Sequence, residues 1–504
     1  MGDAGSSYPL VEPSNFDLIV VGTGIPESII ASAASAAGKK VIQLDPNQFY
    51  GHHYASLAID GLVSFLRSQS RVLSHPINVS DDYSAVPLVN RPLYSELEIN
   101  SYSSDPPIED SGKFNLDLVG PRAFLCSDKM IDLILNTGVH NYMEFKSVEA
   151  SFMSDVTGKL VYVPDSRSAI FKDRTLSLTE KNQLMKFFKL VQGHFSENAE
   201  DKISEEDLDS TFLEFLSKVG LSEKLKSFIL YAIVQANYDQ AATGICRDLI
   251  YTKTGIDRLA RYHSSIGRFP NANSAMLYPM YGHVELPQAF CRRAAVKGGI
   301  CGLGMATAAV LMDKDNGLYR GVQLASGQQI FSPQLILPPS LSITSHLSDA
   351  AHSREREKAK VARGICIARA SIRPDTDNCV VFFPPRSLHP EQITCVRVLQ
   401  LSSSMAVCPS GMFVSYLSTI CDEDEEGKRL LNAAINALFF DDFSNCIGFA
   451  TMPDEHLQYG ELLDVTEKLF RKLYPDDEFV LSTTSDDDPT SGGDASSELD
   501  QINE

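Results

Sequence analysis

The stretch FDLIVVGTGIPESII, residues 16–30, runs from an apolar strand into Gly22-Thr23-Gly24. A strand that ends in Gly-x-Gly and opens into a helix is the phosphate turn of a dinucleotide-binding fold. The first glycine permits the tight turn, the second lets the backbone approach a pyrophosphate, and a third, three residues on, keeps helix and strand close. That third position is Glu27 here, which sets bulk and negative charge where two phosphates would lie. Beyond it, Pro26 to Ala37 is a glycine-free run rich in Ala, Ser and Ile, stopped by Gly38, as expected of a helix packed on a sheet. KKVIQLD, residues 39–45, reads as a second parallel strand, and Asp45 falls 21 residues after Gly24, where a ribose-binding acid belongs. The pattern implies an α/β dinucleotide-binding (Rossmann-type) fold whose cofactor site is altered.

Around this motif lies an ordinary globular composition: 504 residues, 43% hydrophobic and 22% charged. A formal charge of -21 argues against nucleic acid as a partner and against unaided adsorption to anionic membranes. No apolar run approaches the roughly 18 residues of a membrane span, and no signal peptide is legible at the start, so a cytosolic location is expected. The ten cysteines are scattered without a C-x-x-C pair, which reads as reduced, mostly buried thiols. The eleven histidines show no spacing to a Ser or Cys nucleophile, and no catalytic or metal-ligating set emerges.

Along the chain, residues 70–111 are polar, proline-punctuated and aperiodic, and read as a partly disordered insertion. Residues 128–260 turn helical. Ser177-x-x-Glu180 and Thr211-x-x-Glu214 are capping boxes; they precede apolar stripes Leu184, Phe187, Phe188, Val191 and Phe212, Phe215, Leu216, Val219. After Ser222 a third stripe carries Leu225, Phe228 and Ile229. Asn316-Gly317 between two apolar runs predicts a type I′ hairpin. Short strands are expected in QLILPPS, NCVVFF, TCVRVLQL and MFVSYLSTI. The acids Asp422 to Glu426 sit at the positive end of a helix, and residues 481–504 read as a disordered acidic tail. The organisation expected is a discontinuous large α/β domain, 14–69 with 112–127 and 261–480, around a helical second domain.

Three stretches carry a family resemblance: GTGIPESIIASAASAAGKKVIQLDPNQFYG (22–51), KFNLDLVGPRAFLCSDKMIDLILNTGVHNYMEFKSV (113–148) and LYPMYGHVELPQAFCRRAAVKGGICGL (277–303). In this order they closely resemble the conserved regions of the Rab GDP-dissociation inhibitor and Rab escort protein superfamily, a flavoprotein fold emptied of its cofactor. Glu27 is a mark of that family. YASLAIDGLVSFLRS (54–68) and FKDRTLSLTEKNQLMKFFKLV (171–191) resemble the escort branch. The resemblance implies a non-catalytic accessory component of Rab geranylgeranyltransferase. Such a protein binds unprenylated GDP-bound Rab GTPases, presents them to the transferase α/β heterodimer, shelters the geranylgeranyl lipid and delivers the product in transient membrane contact. A recycling Rab GDP-dissociation inhibitor is the near alternative; a flavin-dependent oxidase is the distant one.

By the same resemblance the Rab platform comprises Tyr50, Gly51, Arg268, Tyr278, Tyr281, Glu285 and Gln288. Two departures stand out. The family's Tyr-Gly-Gly is Tyr50-Gly51-His52 here, and GRFPNANSAMLYPMYG (267–282) is two residues longer than the family segment, which leaves Arg261 as an alternative to Arg268. A turn role for Tyr278 stays open beside direct contact. Phe187, Phe188, Phe212, Phe215 and Phe228 are candidates for transferase docking or for a prenyl pocket, with a plain core role the commoner reading for each, because apolar helix stripes usually face a core.

Overall fold

In the computed structural model of the protein, the residues described are 10–69, 82–91, 93–94, 97–100, 110–155, 157–196, 202–343, 360–439, 445–447 and 457–480. The acidic tail and the stretches 70–81 and 101–109 lie outside them.

The opening stretch folds as its pattern requires. β1 (Leu18–Val21) leads through the glycine turn into α1 (Ile25–Ala36) and on to β2 (Val41–Asp45). β1 and β2 are buried along their whole length, as parallel strands covered on both faces are. They lie at the centre of a four-stranded parallel sheet, between Ile300–Leu303 beside β2 and Gln334–Ile336 beside β1. The small residues of α1 let the Glu285–Val296 helix pack closely against it.

A five-stranded antiparallel sheet, an eight-stranded mixed sheet and two small sheets of three and two strands accompany this parallel sheet. The eight-stranded sheet contains the expected strands Cys379–Phe383, Val396–Ser402 and Phe413–Cys421. The expected hairpin joins Thr307–Asp313 to Tyr319–Leu324, but its turn is not type I′. Only Gly317 has positive φ; the Asp313 carboxylate accepts from the backbone N–H of Asp315 and Asn316, and this side-chain cap replaces the two-residue turn.

Two expectations about organisation change. Tyr83–Asn90, inside the segment read as an insertion, is a strand of the five-stranded sheet between Thr307–Asp313 and Leu341–Ile343. The span 128–260 also contains strands Phe145–Ser147, Ala150–Ser154 and Leu160–Tyr162, two of which join the eight-stranded sheet. The span opens with the helix Lys129–Asn136, and the run of helices beyond the strands starts at Arg167.

Both capping boxes are formed, and the stripes behind them point inward. Phe212 and Phe187 have no exposed surface, and Phe215 and Phe228 are almost fully covered; Phe188 packs against the same cluster half-buried. The Phe212 ring lies flat on the Thr252–Ser265 helix because residue 255 has no side chain, and a Cβ there would stand 2.5 to 2.7 Å from three ring carbons. Gly255→Ala is therefore expected to lower stability by about 1 to 3 kcal/mol, the usual cost of overpacking, visible as an earlier denaturant midpoint.

Candidate functional site

The helix N-terminus that would hold a pyrophosphate is already taken. Gly24 caps α1 in extended conformation, and Glu27 folds back so that its Oε2 stands where a Cβ on residue 24 would be. Its carboxyl accepts from its own backbone N–H. Burial, with the nearby Asp45 carboxylate adding to it, pushes the Glu27 carboxyl up to about 7. Asp45 accepts four hydrogen bonds, from Thr23 N (2.7 Å), Thr23 Oγ1 (2.6 Å), Asn47 N and Asn47 Nδ2 (both 2.8 Å). No acceptor capacity is left for a ribose hydroxyl. These residues do not fit a dinucleotide; they make the glycine turn a closed, rigid corner. A raised carboxyl pKa in the folded state means that stability falls as pH rises from the ordinary glutamate range through about 7. Glu27→Gln is expected to flatten that dependence, as measured by unfolding midpoints between pH 5 and pH 8.

From this corner the chain runs to Tyr50 and Gly51. Gly51 donates to Thr23 Oγ1 at 3.0 Å, with φ +96, and a Cβ there would meet the backbone of Ala55 at 2.9 Å. Only glycine fits. The next position, a second glycine in the family pattern, is left-handed here too (φ 48), yet is His52, stacked on His53 at 4.1 Å. Tyr50 is half-buried, and its hydroxyl is bonded to the Cys301 sulfur.

The third conserved stretch folds over a buried polar hub. Asp117 accepts from Tyr278 Oη at 2.5 Å, Ser56 Oγ at 2.5 Å and the His283 backbone at 2.9 Å, while its own N–H donates to Tyr416 Oη. His283 Nε2 donates to the Arg122 carbonyl at 2.9 Å, which leaves Nδ1 to accept from Tyr459 Oη at 2.8 Å. Burial holds the His283 pKa down, against the pull of Asp117. The ring is thus a neutral strut. Burial, followed by the neighbouring Asp117 charge, drives the Tyr278 hydroxyl well above its ordinary range. Tyr278 therefore serves the turn and is not a contact residue: its side chain is wholly inside.

What the hub supports is a strained turn. Tyr281 has φ +69 and Gly282 φ +104; a Cβ at 282 would meet Ser56 Cβ at 2.8 Å and Asp117 Oδ1 at 2.9 Å. Val284 N donates to Ser56 Oγ, which ties the turn to the segment after Gly51. Tyr281 is consequently presented outward, 49% exposed, in a backbone conformation that a bulky residue seldom adopts. The Glu285–Val296 helix follows, with half-buried Glu285 and exposed Gln288 on its outer side. Burial and the charge of Glu144 raise the Glu285 carboxyl.

Arg268 does not join this surface. Its guanidinium donates to the Cys126 carbonyl at 2.7 Å and pairs with Asp132 at 2.6 Å, a bracket between two elements of the large unit. Arg261 lines a separate cavity of about 80 Å³ with Arg258 and Arg397. The arginine that does share the outer side is Arg292, exposed and resting over the Tyr142 ring at 4.5 Å. Glu285, Gln288 and Arg292 stand at i, i+3 and i+7, a helix-face spacing already present in the sequence. The docking role expected of Phe187, Phe212, Phe215 and Phe228 is corrected by their burial: a ring without exposed surface offers a partner nothing. Among the described residues, the exposed apolar side chains of the helical part include Phe171 at 67% and Leu178 at 80%.

Comparison with known proteins agrees with this architecture. The family model described as GDP dissociation inhibitor matches residues 12–91 and 80–439. Rab escort protein 1 of Arabidopsis thaliana is 47% identical, with 95% of this chain and 96% of that protein covered. Rab proteins geranylgeranyltransferase component A of Drosophila melanogaster is 28% identical over 93% of this chain and 90% of that one. Among solved structures, the Rab GDI of Plasmodium falciparum superposes with a TM-score of 0.66 at 18% identity, covering 92% of this chain and 99% of that one. An oxidoreductase from Methanosarcina mazei reaches 0.50 at 12% identity over 87% and 88%, and shares the fold alone. With a cofactor corner closed by its own glutamate and a family match over most of its length, the chain belongs to the GDP dissociation inhibitor family, on its Rab escort protein side.

Proposed function

We propose that the protein binds GDP-bound Rab GTPases through the surface formed by Tyr50, Tyr281, Glu285, Gln288 and Arg292, and presents them unprenylated to Rab geranylgeranyltransferase. It contributes no catalytic group of its own. It then keeps the geranylgeranylated product in solution and releases it at a membrane. The observation that carries this reading is Tyr281: an exposed aromatic held in a strained conformation by the largely buried network around Asp117 and His283, at the turn between the strand Met276–Pro279 and the helix Glu285–Val296. Exposed aromatics and arginines on a rigid support are typical interface anchors.

The lipid is sheltered by the helical part, whose rings Phe187, Phe188, Phe212, Phe215 and Phe228 belong to one apolar cluster. Burial of the chain is worth about 0.8 kcal/mol per CH₂, enough to offset a modest parting of helices. Phe171 and Leu178 are the anchors available to the transferase. No helix among the described residues is long and apolar enough to cross a membrane, in keeping with delivery by a carrier.

Tyr281→Ala and Arg292→Ala are each expected to weaken binding of a GDP-loaded Rab by about 1 kcal/mol or more without moving the melting temperature. Arg268→Ala is expected to do the reverse, lowering stability and sparing affinity. Titration calorimetry and thermal unfolding of the three variants check the assignment; loss of affinity in Arg268→Ala alone would return the platform to that arginine.

A further inference from the structure

Two thiols meet beneath Tyr50. Cys291 lies on the Glu285–Val296 helix and Cys301 on the strand Ile300–Leu303. Both converge on Gln43 of β2: Cys301 stands opposite it in the sheet register, and the Cys291 thiol is 3.3 Å from Gln43 Oε1. The Cys291 thiol is also 3.2 Å from Ser28 Oγ. The two thiols are thereby neighbours on either side of Gln43, close enough to influence one another, and the Tyr50 hydroxyl approaches the Cys301 sulfur. The pair is asymmetric. Cys291 is buried, whereas Cys301 is partly open to solvent. Interaction first with Cys291 and then with the Tyr50 hydroxyl holds the Cys301 thiol below its ordinary range against burial and the Asp45 charge, whereas Cys291 is pushed well above by Cys301 and by burial. An accessible thiol with more thiolate character beside a covered neighbour is the arrangement of an attacking and a resolving cysteine.

We propose that Cys301 and Cys291 form a peroxide-sensitive dithiol whose closure to a disulfide weakens the platform at Tyr50. The Cys301 thiolate attacks a hydroperoxide oxygen, breaking the O–O bond, giving the sulfenic acid and releasing hydroxide (alkoxide from an organic peroxide). The Cys291 thiol then attacks the Cys301 sulfur; the S–S bond forms, the S–O bond breaks, and the thiol proton leaves with the oxygen as water. The peroxide is reduced by two electrons and the two thiols are oxidised by one electron each. With the Cys301 sulfur turned inward to Cys291, the Tyr50 hydroxyl loses its partner and the ring its fixed position. The consequence for binding rests on the Rab-platform reading; the disulfide does not.

The test treats the full chain with hydrogen peroxide at neutral pH, maps disulfides by peptide mass spectrometry, and titrates a GDP-loaded Rab before and after, then again after dithiothreitol. A Cys291–Cys301 linkage ahead of any other, with affinity lowered about fivefold or more, the loss typical of a displaced interface tyrosine, and restored by reductant, is the expected result. Cys291→Ser and Cys301→Ser, each compared with itself before and after peroxide, are expected to form no such linkage and to shift in affinity less than the parent. Oxidation that falls first on other cysteines such as Cys246, or thiols that stay reduced, overturns the dithiol. A mapped linkage with unchanged affinity overturns its connection to Tyr50. A reduced protein that binds no Rab counts against the platform itself, while the peptide map still decides the dithiol.

Discussion

Replacing Asp117 with Ala is expected to destabilise the protein by at least about 3 kcal/mol and to abolish Rab binding in whatever fraction remains folded. The Asp117 carboxylate is the shared acceptor for Tyr278 Oη and the His283 N–H, both inside the molecule, and for the part-buried Ser56 Oγ. Each donor left buried without a partner costs about 1 to 3 kcal/mol, and truncation strands two, Tyr278 Oη and the His283 N–H. Loss of the hub also releases the turn at Tyr281 and Gly282 from the only geometry in which its strain is balanced. Chemical unfolding reports the first effect and Rab titration the second. Tyr278→Phe, which removes one donor and leaves the acceptor with its other partners, is expected to be much milder. If Asp117→Ala unfolds at the parent's midpoint, the network does not hold the platform.

The second large effect lies in the helical part. Phe212→Ala removes a ring with no exposed surface, packed on Gly255 and near Phe215 at 6.5 Å between centroids. The expected loss is about 3 to 5 kcal/mol. Prenylation support is expected to fall in step with stability, because the residue acts through the core. Leu178→Ser, at an exposed position, is expected to lower prenylation support while leaving the unfolding midpoint in place. Parallel unfolding curves and prenylation assays of the two variants separate a core role from a docking role; the docking assignment fails if Leu178→Ser prenylates like the parent.

The parts of the fold legible in the sequence are those fixed by short-range physics. Gly22-Thr23-Gly24 followed by a small-residue run can hardly be anything but a βα turn, and Glu27 announced at the sequence level that the phosphate seat was altered. What the sequence does not disclose is that the Glu27 carboxyl bends back into that seat, because the bend depends on its burial beside Gly22, Gly24 and Asp45 in the folded chain. Ser177–Glu180 and Thr211–Glu214 are local caps and form as written. Tyr83–Asn90 escapes such reading because Pro87 interrupts it and most of its side chains are half-buried on both faces, so neither propensity nor alternation marks a strand. Its pairing with Ala309 to Asp313 is set by partners more than 200 residues away.

The site divides along the same line. Gly51, Tyr281 and Glu285 lie in the stretches that carry the resemblance. Arg268 misleads because an arginine that braces Asp132 and an arginine that faces a partner are the same letter; only the two hydrogen bonds to the large unit tell them apart. Arg292 was within reach, since its i+7 relation to Glu285 needs only helical periodicity. The phenylalanine stripes were correctly expected to lie on helices, yet periodicity gives a face and not its neighbour. Here the neighbour is the helix carrying Gly255.

The most direct measurement is prenylation of a GDP-loaded Rab by purified Rab geranylgeranyltransferase, with and without this protein, scored by transfer of labelled geranylgeranyl to the Rab carboxy-terminal cysteines. Transfer that requires the wild-type protein, and is impaired by Tyr281→Ala and Arg292→Ala while both variants stay folded, is the expected result. Transfer that proceeds equally without the protein, or tight binding of prenylated Rab with none of the unprenylated form, would contradict an escort role and point to recycling instead.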